Sequence, residues 1–199
     1  GNTMSNEVII GYTTIRDKRS IYGAVFPEIT IENAGLGGGT DLRAGAETFS
    51  NANALDQDIM EFTDNFTYFM GEHTFTVGTQ NYYFKFLNLY IRNIYGNYEF
   101  TNLDNFNAGK PSRFQLSYSL LPGISQPSAS FTGLQLGFYA QDEWRILPNL
   151  KVNFGLRLDI PTFPDKPLYN PSIDTLFGAR GLATNKVPSG LLLFSPRVG

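Results

Sequence analysis

The sequence predicts an all-β protein, a segment of an antiparallel transmembrane β-barrel with long loops on one side. Three observations predict it: one long hairpin of strict alternation, connections that are tight and long in turn, and no helix-length apolar run. The hairpin covers residues 134–160. Its first arm puts Leu134, Leu136, Phe138, Ala140, Asp142, Trp144 and Ile146 on one face. Gln135, Gly137, Tyr139, Gln141, Glu143 and Arg145 take the other. After Leu147-Pro148-Asn149, the second arm sets Leu150, Val152, Phe154, Leu156, Leu158 and Ile160 against Lys151, Asn153, Gly155, Arg157 and Asp159. Successive side chains of a strand point to opposite faces, so each arm is greasy on one side and polar on the other. Strands in soluble sandwiches usually stop at about five or six residues. These arms run to about eleven or more, the length with which a tilted strand crosses a bilayer.

Composition agrees and closes other routes. The chain has 199 residues and a net charge of −3, with a pI near 5.1. That balance argues against a nucleic-acid surface, which needs clustered Lys and Arg. With no cysteine there are neither disulfides nor thiolate metal sites. No apolar run approaches the roughly 18 residues of a membrane helix, and barrel strands need none. The 20 glycines and 15% aromatic residues suit a β-rich chain with many turns. Gly1-Asn2-Thr3-Met4 lacks a basic region followed by an apolar stretch, so a signal peptide is expected to be removed or to lie upstream.

A first strand is expected at 6–16, where Val8, Ile10, Tyr12 and Thr14 alternate with Glu7, Gly11 and Thr13. Glu28–Glu32 reads as a short strand, and Gly35–Gly39 as irregular. A second long strand, 57–70, carries Met60, Phe62, Phe66, Tyr68 and Met70 opposite Glu61, Thr63, Asn65 and Thr67. Gly71-Glu72-His73 is a tight turn into a third, 74–90. There Tyr82-Tyr83-Phe84-Lys85-Phe86-Leu87 is aromatic on both faces, which a bulge or an interfacial girdle would explain. Within 91–131, Thr101 or Asn102 caps a short helix over Leu103–Ala108, and Arg113–Leu120 extends a ribbon. Pro161–Gly190 reads as loop, and a last strand begins at Leu191.

The links at 71–73 and 147–149 are tight, whereas those at 17–56, 91–131 and 161–190 are long. Compact domains rarely carry loops beyond about 15 residues, but outer-membrane barrels join short periplasmic turns to long extracellular loops. Strands at 6–16, 74–90 and 150–160 then run outward. Matching the apolar faces of the hairpin sets Ile146 opposite Leu150, Trp144 opposite Val152, Tyr139 beside Arg157, Glu143 beside Asn153 and Arg145 beside Lys151. A one-residue slip would put Arg157 and Glu143 into lipid, at about 2–4 kcal/mol for a midplane Arg. Trp144 falls near the periplasmic interface, where an indole is favoured. Asp142 is the exception on the lipid face, tolerated near the turn or rotated away by a bulge.

These residues resemble a known family. Leu136-Gly137-Phe138-Tyr139-Ala140-Gln141-Asp142-Glu143-Trp144-Arg145, with Leu147-Pro148-Asn149-Leu150 and Gly155-Leu156-Arg157-Leu158-Asp159, is similar to the barrel of TonB-dependent outer-membrane receptors. Phe194-Ser195-Pro196-Arg197-Val198-Gly199 and Gly71-Glu72-His73-Thr74-Phe75 add to the likeness, which is nearest to the Oar-like receptors of Bacteroidetes. It spans 57–199 well and 1–56 loosely. It implies a non-enzymatic importer in the bacterial outer membrane, with a barrel of about 22 strands plugged by an N-terminal domain. Residues 1–199 are then expected to be a partial barrel domain, with plug and remaining strands elsewhere. The implied partners are outer-membrane lipid, the TonB system, the receptor's own plug, an unidentified extracellular ligand and a surface lipoprotein.

Candidate chemistry is sparse. His73, the one histidine, reads as a solvated turn residue, and no nucleophile–base constellation with histidine can be built elsewhere in the chain. Gly35–Gly39 lacks the Gly-Lys-Ser/Thr of a phosphate loop. Asp56, Asp58, Glu61 and Asp64 form the densest acidic group and could bind calcium at the outer rim. Tyr139, Gln141, Glu143, Arg145, Arg157 and Asp159 are expected to face the lumen and a plug. Ligand capture is assigned to the long loops. No cofactor is expected. Two alternatives stand beside the transporter: an outer-membrane structural or adhesion barrel, and a soluble carbohydrate-binding β-sandwich that would bury Leu136, Phe154 and Leu156 between two sheets.

Overall fold

In the computed structural model, which describes residues 3–35, 37 and 39–199, long antiparallel strands dominate. Six make one sheet: β1 (Met4–Lys18), β4 (Asn53–Met70), β5 (His73–Tyr90), β8 (Ala129–Leu147), β9 (Leu150–Thr162) and β10 (Leu193–Val198), neighbours in that order. Four short strands make a second sheet in the order β3 (Leu42–Ala44), β2 (Glu28–Ile31), β6 (Asn97–Phe100) and β7 (Arg113–Gln115). The chain divides into two compact units. The first comprises Gly1–Thr14, Gln57–Phe86 and Phe131–Gly199; the second comprises Ile15–Asp56 and Leu87–Ser130.

The first unit follows the alternation closely. Pairing across the β8–β9 hairpin runs Tyr139↔Arg157, Glu143↔Asn153, Trp144↔Val152 and Arg145↔Lys151, as the matching of faces requires. The expected Ile146–Leu150 pair does not form. Leu147 faces Leu150 across a two-residue turn, Pro148-Asn149, and the register shifts between Arg145 and Leu147. Without that bulge a two-residue turn would pair even with odd positions and set Trp144 against a polar residue. The extra residue, Ile146, restores apolar opposite apolar. β10 extends both rows, with Pro196 opposite Leu156 and Arg197 opposite Gly155.

The apolar row faces outward. Leu156 is 50% exposed and Phe154 44%, so these side chains are not enclosed between two sheets as a sandwich would enclose them. β4 and β5 each run 18 residues, longer than the sequence boundaries of 57 and 74 suggest. Their turn is Gly71-Glu72, with Gly71 at φ 61, and His73 already belongs to β5. The aromatic run on β5 leaves the strand unbroken. Tyr82, Phe84 and Phe86 stack at 5.8 and 5.9 Å, and Phe131 of β8 continues the ladder at 4.9 Å from Phe86.

In the second unit β2 and β6 pair in parallel, Glu28↔Asn97 through Ile31↔Phe100, while β3 and β7 flank them antiparallel. α1 (Leu103–Asn107) starts where expected, its first turn capped by Asn102 accepting the Asn105 N–H at 2.8 Å. The predicted ribbon at 113–120 is shorter, because β7 ends at Gln115 and Ser117 donates its N–H to the Asn93 carbonyl instead. Within the predicted glycine-rich loop, Leu36 and Gly38 lie outside the described residues, while Gly37 and Gly39 have positive φ. The stretch read as loop from 161 to 190 contains α2 (Pro171–Phe177) and a single 3-10 turn, Gly178–Arg180. Asn170 caps α2 and Pro171 opens it, a start signal overlooked among the turn residues.

Candidate functional site

The odd-numbered rows of β8, β9 and β10 share one face, and on it the polar side chains brace one another. Arg157 is the hub. Its Nε donates to both carboxylate oxygens of Asp159, at 3.0 and 2.9 Å, and its Nη1 donates to Gln80 Oε1 at 3.2 Å. Its guanidinium also stands 5.6 Å from the centre of the Tyr139 ring, within cation–π range. Tyr139 donates its hydroxyl to Asn65 on β4, and Gln80 donates to the Tyr82 hydroxyl at 2.8 Å. Tyr82 in turn donates to Glu61 at 3.3 Å. Charge-assisted and bidentate bonds are the strong members of such a set. Together these contacts tie β4, β5, β8 and β9 across their polar face, around a cleft of about 330 Å³ lined in part by Glu61, Asn65, Gln80, Tyr139 and Arg157.

Glycines make room for this bracing. A Cβ at Gly78 would come within 2.7 Å of the Tyr139 ring, and one at Gly155 within 2.7 Å of Arg197 Nε. At Gly137 it would collide with the Arg157 guanidinium and lie 2.8 Å from the Gln80 carbonyl. In each case a long side chain from the next strand lies flat over a glycine of the preceding one. Arg197 crosses Gly155 in this way to donate to Gln141. Glycine is required here for close approach, not for an unusual backbone angle.

All six side chains expected on the polar face therefore share it by register, but they are not equally engaged. Tyr139, Arg157 and Asp159 belong to the central network, and Gln141 is held by Arg197. Glu143 pairs with Lys151 near the turn, and Arg145 stands exposed in the row beside Lys151. Asn65, Gln80 and Tyr82 complete the network without having been singled out, and Glu61, expected in an acidic calcium group, joins it instead. Their signal was only that polar residues shared their faces on strands whose register was still unset.

Two candidates read differently in three dimensions. His73 is a partner of the anomalous Asp142: Nδ1 and Oδ2 lie 2.7 Å apart, with side chains 32% and 19% exposed. The imidazole stacks on Phe75 at 5.4 Å and on Trp144 at 5.3 Å. The lone carboxylate of the apolar row is thus matched by a ring that is itself half covered by aromatics, and His73 is not a freely solvated turn residue. Asp56, Asp58, Glu61 and Asp64 do not converge. Among the described residues no three His, Cys, Asp or Glu side chains come together to hold a metal.

The family model of an outer membrane beta barrel domain matches the chain over residues 2–199. No curated protein and no solved structure matches the chain. That match covers nearly the whole sequence, and it agrees with long strands whose apolar rows stand exposed. The chain belongs to the outer membrane β-barrel domain family and is a protein of the bacterial outer membrane.

Proposed function

We propose that the chain forms part of the barrel of a TonB-dependent outer-membrane transporter, one that imports an unidentified ligand and performs no catalysis. The observation that carries this reading is the β8–β9 hairpin. Its stretches Leu136–Arg145, Leu147–Leu150 and Gly155–Asp159 resemble those receptors, and its polar side chains are cross-braced into a wall. Further support comes from the edges of the sheet. Among the described residues β1 and β10 each have a neighbour on one side only. Unpaired backbone is not viable in hydrocarbon, so both edges call for further strands, as in a larger barrel. Tyr139, Gln141, Glu143, Arg145, Arg157 and Asp159 then face an interior plug, and the long connections face outward to meet the ligand.

The test uses the full-length protein in detergent, with a photo-crosslinking residue in place of Gln141 and the purified periplasmic domain of TonB as bait. Capture by that domain, together with a cross-link from position 141 to an N-terminal domain of the same chain, is the expected result. A barrel serving only structure or adhesion would give neither, and that outcome would remove the transport reading.

A further inference from the structure

We propose that the second unit holds a calcium ion, bound by Glu28, Asn93, Asn97 and Gln115. Glu28 on β2, Asn97 on β6 and Gln115 on β7 are register partners, Glu28↔Asn97 and Asn97↔Gln115. Partners across neighbouring strands project to the same face, here as a row of three with about 4.8 Å between strands. Asn93 joins them from the turn that leads into β6. Its φ is 57, and its carbonyl accepts the N–H groups of Gly96 at 3.0 Å and Ser117 at 3.1 Å. Its own N–H donates to the Thr48 carbonyl at 3.1 Å, while the Thr48 N–H donates to Glu28 Oε2 at 2.9 Å. This circuit, closed through the Glu28 side chain, ties the Asn93 turn to the row that Glu28 begins.

What this circuit encloses is short of donors. Glu28 is 9% exposed, and Asn93 and Asn97 are each 6% exposed. Asn93 Oδ1, Asn97 Oδ1 and Gln115 Oε1 are buried without a hydrogen-bond partner. Among the described residues no Lys, Arg or His forms an ion pair with Glu28. Buried acceptors without donors are rare in folded proteins, and three beside one buried carboxylate call for a cation. The donor set names its class: all oxygen, with no nitrogen or sulfur, mixing a carboxylate with amide carbonyls. Calcium accepts such irregular sets and completes its shell with water, whereas magnesium demands a near-ideal octahedron. A single carboxylate places the affinity in the weak range of extracellular modules, about 10⁻⁴–10⁻³ M. The site stands independently of the transport reading, since it uses no residue of the polar wall.

The test is calorimetric titration of CaCl₂ into the full-length protein in detergent after chelation, with MgCl₂ as control. A saturable calcium response is expected, with little response to magnesium. Glu28→Gln keeps the shape but removes the charge and should weaken binding roughly tenfold; Asn93→Asp adds a carboxylate and should tighten it roughly tenfold. A gain in affinity cannot come from misfolding, so Asn93→Asp decides the matter even if Glu28→Gln fails to fold. No calcium response in the folded wild type up to about 10 mM, beyond that weak range, would mean the buried acceptors meet only water and would overturn the proposal. Equal affinities in wild type and both variants would overturn it too, by placing the ion elsewhere.

Discussion

The two units differ in whether they enclose apolar side chains at all. In the second, Ile31, Ala46, Ala52 and Phe100 are enclosed, the usual signature of a domain folded against water. In the first, no apolar side chain among the described residues is buried, although its strands are rich in Leu, Phe and Val. Its large apolar groups stand open on one face, while its polar groups are locked together on the other. Contiguous exposed apolar surface of this extent marks an interaction surface. Over a six-stranded sheet built mostly of long strands, the surface that fits is hydrocarbon. One chain thus obeys two solvents, and the same residue type carries a different energetic meaning in each.

The sharpest way to break this comparison is to empty the water-folded core. Phe100 is 6% exposed and meets the Phe106 ring edge-on at 5.2 Å. Phe100→Ala should cost about 3–5 kcal/mol of local stability, as large aromatic truncations in cores do. Hydrogen exchange should show amides of β2 and β6 losing protection, while those of β8 and β9 keep theirs. Equal loss in both sheets would mean that the two units fold as one, and the contrast would have to be abandoned.

A charge on the outward row sharpens the contrast from the other side. Leu156 is half exposed, so in water Leu156→Arg would cost within about 0.5 kcal/mol, as surface changes do. Facing lipid, the same change should cost about 2–4 kcal/mol if the position lies near the midplane. Denaturant unfolding of the full-length protein from lipid vesicles measures the difference. A neutral result would place that face in water.

Much of the first unit was legible because alternation is a local signal. The face of every residue from Leu134 to Ile160 follows from parity, and parity alone also demands the bulge at Ile146 once the turn has two residues. The His73–Asp142 pair was not legible, since the partners lie 69 residues apart and meet only when β5 and β8 are neighbours. The parallel pairing of Glu28–Ile31 with Asn97–Phe100 was hidden for a similar reason: four-residue strands carry too few positions to show a period. Within the candidate site, Tyr139 and Arg157 were placed together by the hairpin register. Asn65 and Gln80 needed the order of the sheet, which no single segment encodes.

The smallest expected effect lies at Glu47, in the second unit and outside the membrane strands. Burial pushes its carboxyl pKa up, but hydrogen bonds from the Ser50 side chain and from the Phe49 and Ser50 backbone, with Arg19 nearby, outweigh this and hold it below the usual carboxylate value. A lowered folded pKa means that the carboxylate stabilises this loop above the unfolded value of about 4.3, and that the contribution is lost as pH falls through the lower folded value. The group is exposed, so solvent screens most of the effect. Acidification should therefore loosen residues 45–52 slightly in wild type, and Glu47→Gln should remove that pH dependence while costing a little stability at neutral pH. Hydrogen exchange of the Phe49 amide, which donates to Glu47 Oε1 at 2.7 Å, reads the change directly, after correction for the intrinsic pH dependence of exchange. The first unit supplies the control: amides of the β8–β9 hairpin, held by the ladder and far from Glu47 in sequence, should respond identically in wild type and variant. A difference there would show that the loop and the membrane sheet are energetically coupled, and that the two solvents act on a single cooperative structure.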